Sequence, residues 1–223
     1  MSLWITGDTH GGYDGLMGRL AANGVMPGDT VLITGDFGFV SDHPDDRISY
    51  LKLRREPFCF CFIDGNHEDH RLLSEYPASG WNGGQAQVIE QNIIRLMRGE
   101  LYNIEGRTFF CMGGAYSHDK SCRREGYNWF AEEQPSPEQY AHADLTLEAC
   151  CGRVDYILTH TAPLSVIHEL GAVVYEQESV LDNYLEKLRN TVEFQRWFFG
   201  HYHTDRELSG GFTAVYDRMI KLF

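Results

Sequence analysis

Hydrophobic and polar positions alternate in blocks along the first third of the chain. Residues 3–6 form a short apolar run that ends in Gly7-Asp8-Thr9-His10-Gly11-Gly12. Residues 13–23 then place Leu16, Met17 and Leu20 on one side of a helix. A second apolar run, 31–34, ends in Gly35-Asp36, and after a polar turn residues 46–55 read as a helix. A third run, 58–63, ends in Asp64-Gly65-Asn66-His67-Glu68. Strand, helix, strand, helix, strand predicts parallel strands joined by right-handed crossovers.

The middle of the chain changes character. Residues 76–87 are rich in glycine and polar residues around Pro77, Trp81 and Gly83-Gly84. Three strand-like runs follow, 92–97, 100–104 and 108–112, separated by Gly99 and Gly106, and they predict an antiparallel meander. Gly113-Gly114-Ala115 then opens a polar, aromatic-dotted segment through Pro137. It is too long for a plain connector and is a candidate substrate-facing loop, in which Tyr116, Tyr127 and Trp129, with Trp81, either shape a pocket or pack the loop down. Alternation returns in the last third, with helices over 137–151 and 179–190 and strands over 154–159, 194–199, 212–216 and 219–223. Val180, Leu181, Tyr184, Leu185 and Leu188 form the apolar stripe of the later helix. No repeat, low-complexity tract or linker interrupts the sequence, so a single domain over residues 1–223 is expected.

Composition narrows the class. With 43% hydrophobic and 23% charged residues the chain is a folded protein with a sizeable core rather than a disordered one. The net charge of −13 argues against unaided binding to nucleic acid, which relies on Lys and Arg to neutralise phosphates. A polyanionic partner must therefore meet a local positive site. No signal peptide and no membrane-spanning run is evident. The six cysteines include no C-x-x-C pair and read as reduced packing residues, which makes the cytoplasm the expected compartment.

Five apolar runs end in groups that can ligate a metal: Asp8/His10, Asp36, Asn66/His67, His160 and His201/His203. In open α/β sheets ligands gather at the carboxyl ends of strands, so residues spread over most of the chain can converge on one edge. Neighbouring Gly7, Gly35, Gly65 and Gly200 permit sharp exits from those strands. Each piece alone fits a turn-forming aspartate or a structural histidine. Burying all of them without a partner would be costly, and a pair of metal ions removes that cost. Carboxylates, imidazoles and an amide oxygen, with no thiolate, suit Mn²⁺, Fe or Zn²⁺.

The same residues resemble the calcineurin-like metallophosphoesterases, whose pattern is D-x-H, G-D, G-N-H-[DE], a lone His and G-H-x-H. Here these stand, in order, as Asp8-Thr9-His10, Gly35-Asp36, Gly65-Asn66-His67-Glu68, His160 and Gly200-His201-Tyr202-His203. Residues 113–120 also look like those of small bacterial and phage members. The resemblance implies an α/β (α+β) four-layer fold, with two packed mixed sheets flanked by helices. It implies that Asp8, His10 and His203 hold one divalent ion, that Asn66, His160 and His201 hold a second, and that Asp36 bridges them, with Mn²⁺ the expected metal and Fe or Zn²⁺ the alternatives. His67 would face the substrate instead of a metal.

The implied reaction is phosphoester hydrolysis. A hydroxide bridging the metals would attack phosphorus in line, with His67 as general acid to the leaving oxygen. With about +4 from the metals, −2 from the two aspartates and −1 from hydroxide, the site stays near +1 and can receive phosphate in an acidic protein. One departure matters: protein-phosphatase members follow G-D with an Asp-Arg pair, whereas Gly35-Asp36 leads here into Phe37-Gly38-Phe39-Val40. Phosphate would then be gripped by Arg71, His118, Lys120, Arg123 or Arg124, each of which otherwise reads as solvated surface. His43, His70, His142 and His168 are left as surface or core. The acidity favours phosphorylated small molecules or nucleotides, with phosphoprotein as a further substrate class, and leaves monoester against diester open. A fold of this type kept as a non-catalytic binding scaffold is the competing function. It would be expected to have lost ligands or the catalytic histidine, and all of them are present.

Overall fold

The computed structural model describes residues 1–44 and 46–223. Two mixed sheets form its centre. The first has seven strands in the order β13-β1-β2-β3-β6-β5-β4. These are β1 (Leu3–Thr6), β2 (Thr30–Ile33), β3 (Cys59–Phe62), β4 (Ala78–Trp81), β5 (Gly84–Glu90), β6 (Ile93–Leu96) and β13 (Ile220–Lys221). The second has six, in the order β11-β12-β10-β9-β8-β7. These are β7 (Glu100–Ile104), β8 (Arg107–Met112), β9 (Tyr156–Thr159), β10 (Arg196–Phe199), β11 (Arg206–Glu207) and β12 (Phe212–Ala214). Parallel pairing joins β1, β2, β3 and β6 in one sheet and β8, β9, β10 and β12 in the other.

The period-two rule of a strand explains why these runs are apolar throughout. Leu3, Ile5, Leu32 and Cys61 point between the sheets, where they meet Phe109, Cys111, Tyr156, Leu158 and Phe198. Their alternates Trp4, Val31, Ile33, Phe60 and Phe62 face the helices α1 (Tyr13–Asn23), α2 (Asp46–Leu53) and α3 (His70–Ser74). On the far side, Phe110, Ile157, Trp197 and Phe199 are covered by α4 (Pro137–Ala149), α5 (Leu164–Leu170) and α6 (Ser179–Thr191). The result is helix, sheet, sheet, helix in four layers. α4 begins with a capping box between Ser136 and Gln139 and a proline in its first turn.

Three expectations need correction. The three runs predicted as one meander divide between the sheets: β6 pairs with β3 and β5, while β7 and β8 form a hairpin at the edge of the other sheet. Ile93 and Ile94 are buried on opposite faces, which only an interior strand satisfies, and Gly99 at φ 78° turns the chain toward the second sheet. The two closing strands, for which the sequence predicts no partners, also lie in different sheets, β12 beside β10 and β13 antiparallel to β1. Val180 is exposed, so the stripe of α6 starts at Leu181. Among the cysteines, all free, Cys122 and Cys151 are exposed and lie outside the core. No helix among the described residues is long and apolar enough to cross a membrane.

Candidate metal centre

The carboxyl ends of five parallel strands, three from the first sheet and two from the second, meet at one edge of the sandwich. Gly200 N–H donates to His160 O, and Gly7 N–H to Tyr216 O, so the backbone itself is stitched across that edge. Asp8 and His10 follow β1, Asp36 follows β2, Asn66 and His67 follow β3, His160 follows β9, and His201 and His203 follow β10. Four of these residues, His10, Asp36, His201 and His203, have left-handed backbone, at φ 45°, 47°, 65° and 45°. Such conformations are costly outside glycine and persist where surrounding contacts over-determine them, commonly at functional sites.

The side chains converge. His10 Nε2 lies 3.0 Å from His203 Nε2, and His203 Nε2 lies 3.3 Å from Asp8 Oδ2. Asp36 Oδ1 is 3.3 Å from His160 Nε2, which is 3.1 Å from Asn66 Oδ1. The other oxygen of Asp36 is 3.9 Å from His10 Nδ1, so this carboxylate stands between the two groups. Two ligand atoms each about 2.1 Å from a common cation stand roughly 3.0–3.4 Å apart at octahedral or tetrahedral angles. The four shorter separations fall in that interval, so the donor set fits divalent ions. His201 contributes differently: its ring neighbours that of His160 at 5.1 Å between centroids, while its Nε2 lies 3.2 Å from His118 Nε2.

Packing around the donors fixes their orientation. His160 Nδ1–H donates to Thr34 O at 2.8 Å, which leaves Nε2 to face Asp36 and Asn66. Asn66 Nδ2 donates to Ser117 Oγ, whose hydroxyl donates in turn to buried Glu133, so the amide oxygen is left pointing at His160. Asp36 Oδ1 accepts from His67 N–H at 2.8 Å, and both oxygens of Asp8 accept from His201 N–H. Gly65 and Gly35 are required by close approach: a Cβ on the first would sit 2.1 Å from Asp36 Oδ1, and one on the second 2.1 Å from His160 Nδ1. Glu68, wholly buried, accepts from Phe37 N–H and Gly38 N–H and so fixes the loop after Asp36. Phe37 and Phe39 plug that loop into the helix-side core, with Phe37 stacked on Phe62.

The electrostatics follow from this crowding. Burial works to raise the Asp36 carboxyl, but His160, then His67 and His10, hold it well below the usual carboxylate range. Burial works to lower His160, yet its contact with Asp36 pushes it up to about 10. Burial lowers His10, His67, His118 and His201, with Asp36 opposing the shift at His10 and His67. The hydrogen bond to Asp8 raises His203. Burial, with Asp36 nearby, pushes Glu68 up to about 7.

Of the residues expected to bind phosphate, the structure brings Arg123 and His118 to the centre. One guanidinium nitrogen of Arg123 lies 2.6 and 2.8 Å from the two ring nitrogens of His67, while its Nε pairs with Asp119 at 2.7 Å. His118 stacks on Tyr175 at 3.9 Å and forms a further donor group with Glu178 and His201. Arg71 is engaged by Asp42, Asp69 and Glu75, Lys120 lies over the Trp129 ring, and exposed Arg124 caps a turn through its backbone. Of the aromatics, Trp81 packs against Tyr102 and Trp129 is buried, whereas Tyr116 and Tyr127 lie near the cavities. His70 is a core residue whose Nε2 meets Gly65 O, while His43, His142 and His168 are exposed. The Ser117–Glu133 link to Asn66 carries no signal in the sequence, because it depends on a loop conformation that brings distant residues together; Glu68 stands in the G-N-H-[DE] motif, but its bonds to the loop after Asp36 are visible only in the structure.

Two mixed sheets flanked by helices, with carboxylate, imidazole and amide donors gathered on one edge, place the chain among the metallophosphoesterase-type folds. Residues 1–205 match the calcineurin-like phosphoesterase family, and the chain belongs to that family. Among solved structures, TT1561 of Thermus thermophilus is similar, with a TM-score of 0.54 and 11% identity over 96% of this chain and 88% of that one. A Staphylococcus aureus protein provisionally named a 5′-nucleotidase, solved with alpha-ketoglutarate, has a TM-score of 0.54 and 12% identity over 96% of this chain and 48% of that one. No curated protein matches the chain by sequence at a significant level.

Proposed function

We propose that the chain, folded as one domain over residues 1–223, is a cytoplasmic hydrolase of phosphoesters that works with two divalent ions, Mn²⁺ first among them. Asp8, His10 and His203 would hold one ion and Asn66, His160 and His201 the other, with Asp36 shared. What carries this reading is the set of 3.0–3.3 Å separations among these donor atoms around Asp36. Bound there, the ions would supply positive charge for phosphate oxygens and acidify a water for attack on phosphorus. The protein's own groups do the rest. Arg123 takes the place of the arginine that the Phe37–Val40 segment lacks and grips phosphate beside His67. His67 Nε2 or Nδ1 delivers a proton to the leaving oxygen, so that ester and water become alcohol and phosphate. The substrate is a phosphorylated small molecule or nucleotide; the nucleotidase name of the Staphylococcus aureus neighbour agrees with that class but is a statement about that protein.

The test is hydrolysis of 4-nitrophenyl phosphate and of its bis-ester by metal-stripped protein with and without restored Mn²⁺. Metal-dependent turnover of either supports the reading, the monoester pointing to phosphatase chemistry and the diester to cyclic or linked nucleotides. Two bound metals with no turnover of either would overturn it.

A further inference from the structure

His67 separates two cavities. The smaller, about 420 Å³, lies over Asp36, Asn66, His201 and His203. The larger, about 860 Å³, opens on the other side of His67 and has no counterpart in the motifs. His67 and Asp119 line both. Three segments build the larger one: the loop that follows Asp36, the turn that follows His67, and the part of the long loop between Asp119 and Phe130. In an in-line displacement the leaving oxygen departs opposite the attacking one, toward the acid that protonates it. The part of the substrate attached to that oxygen must then occupy the space beyond His67.

We propose that the larger cavity holds the alcohol portion of a phosphomonoester and selects a nucleoside-sized alcohol that bears a flat ring and no negative charge. The proposal rests on His67 facing the leaving oxygen. The volume suits a ligand of that size. Among the described lining residues, five carboxyl side chains (Asp42, Asp46, Glu68, Asp69, Asp119) face two guanidinium groups, Arg71 and Arg123. Arg71 is already engaged by Asp42 and Asp69, and Arg123, paired through Nε with Asp119, turns its other edge to His67 and the phosphate to be cleaved. A second phosphate, or an acidic peptide, would enter a field of like charge, whereas hydroxyl groups of a sugar find acceptors there. The flat ring has a platform. Tyr127, a residue 60% exposed, lines the cavity edge-on to the His43 ring, and buried Phe130 lies in the same wall. An aromatic side chain left this open on a cavity wall can stack a base.

The experiment compares kcat/KM of the Mn²⁺-loaded full chain on adenosine 5′-monophosphate, adenosine 3′,5′-bisphosphate (loss of the 5′-phosphate), ribose 5-phosphate and 4-nitrophenyl phosphate. Ratios between substrates are independent of how much of a variant is folded. The monophosphate should exceed the bisphosphate by about tenfold, and Asp46→Asn should narrow that gap. Tyr127→Ala should lower the ratio of adenosine monophosphate to ribose 5-phosphate by about tenfold. Equal or preferred use of the bisphosphate, or a Tyr127→Ala variant with an unchanged ratio, would overturn the proposal. Turnover of 4-nitrophenyl phosphate with no turnover of the adenosine or ribose esters would overturn it alone. Turnover of bis(4-nitrophenyl) phosphate but of none of these monoesters would likewise overturn it alone, and no turnover of that diester or of any monoester by metal-loaded protein would overturn the hydrolytic reading beneath it.

Discussion

His67 sits where the donor cluster, Arg123 and the larger cavity meet. Burial lowers its basicity; Asp36 opposes that shift and Arg123 adds to it, and the balance favours the neutral ring. A phosphate dianion seated against it would work the other way and favour the protonated form that a general acid needs. His67→Ala is expected to keep its full metal content and lose roughly 10²–10⁴ in kcat. Metal analysis beside turnover checks this, and a variant inactive because it is metal-free would remove His67 from the proposed role. The donors around it are legible in the sequence because each motif keeps its donor within a few positions of a strand end, four of the five with a neighbouring glycine. Ser117 and Glu133 are not legible, although they aim Asn66. Their effect depends on how the 113–137 segment folds back, and that is set by Arg98, which donates to the carbonyls of Glu132 and Glu133 from a distant turn.

Among the elements, α6 carries a group that ought to titrate. Asp182 faces the core at 0% exposure and neither carboxyl oxygen has a partner, so burial, with Glu178 adding to it, pushes it up to about 8. A carboxyl raised on folding binds its proton more tightly in the native state than in the unfolded one. Its ionisation therefore adds no cost below the unfolded value near 4, and destabilises progressively as pH rises to about 8. Asp182→Asn is expected to flatten the fall in Tm across that window and to raise Tm by several degrees at its upper end. Thermal melts of both proteins from pH 5 to pH 9 check this, parallel curves being the contrary result. The hairpin of β4 and β5 shows where an element escaped pattern reading. Asn82 and Gly83, at φ 48° and 97°, form the two-residue turn that joins β4 to β5, but the glycine-rich flanks mask the strands beside it. β6 misleads in the opposite way: close in sequence to β7, it belongs to the other sheet because only an interior position buries both its faces.

At the scale of the whole molecule, the two sheets share one core, and their joint carboxyl edge gathers donors that lie up to 195 residues apart in sequence, from Asp8 to His203. A buried ion pair secures that edge. Asp64, just past β3, pairs with Arg95 and Arg98 and is held well below the usual carboxylate range; burial would raise it, but the two guanidiniums prevail. Arg98→Met would remove the side-chain donor to the Glu132 and Glu133 carbonyls, the second of which keeps Ala115 N–H, and would leave Asp64 to Arg95 alone, which is expected to destabilise the fold by about 3–5 kcal/mol in urea titrations. A loss below about 1 kcal/mol would mean that the pair is incidental. The fold class was readable because parallel strands buried on both faces leave unbroken apolar runs; the partition of strands between sheets was not, since it is decided by contacts between distant elements. The central claim is that this shared edge holds two cations bridged by Asp36. Electron paramagnetic resonance of the metal-stripped protein, followed as Mn²⁺ is added, tests it most directly. The account predicts that the six-line signal of isolated Mn²⁺ gives way to an exchange-coupled spectrum complete at two equivalents per chain, and that Asp36→Asn abolishes the coupling. Saturation at one equivalent, or two uncoupled ions, would contradict it.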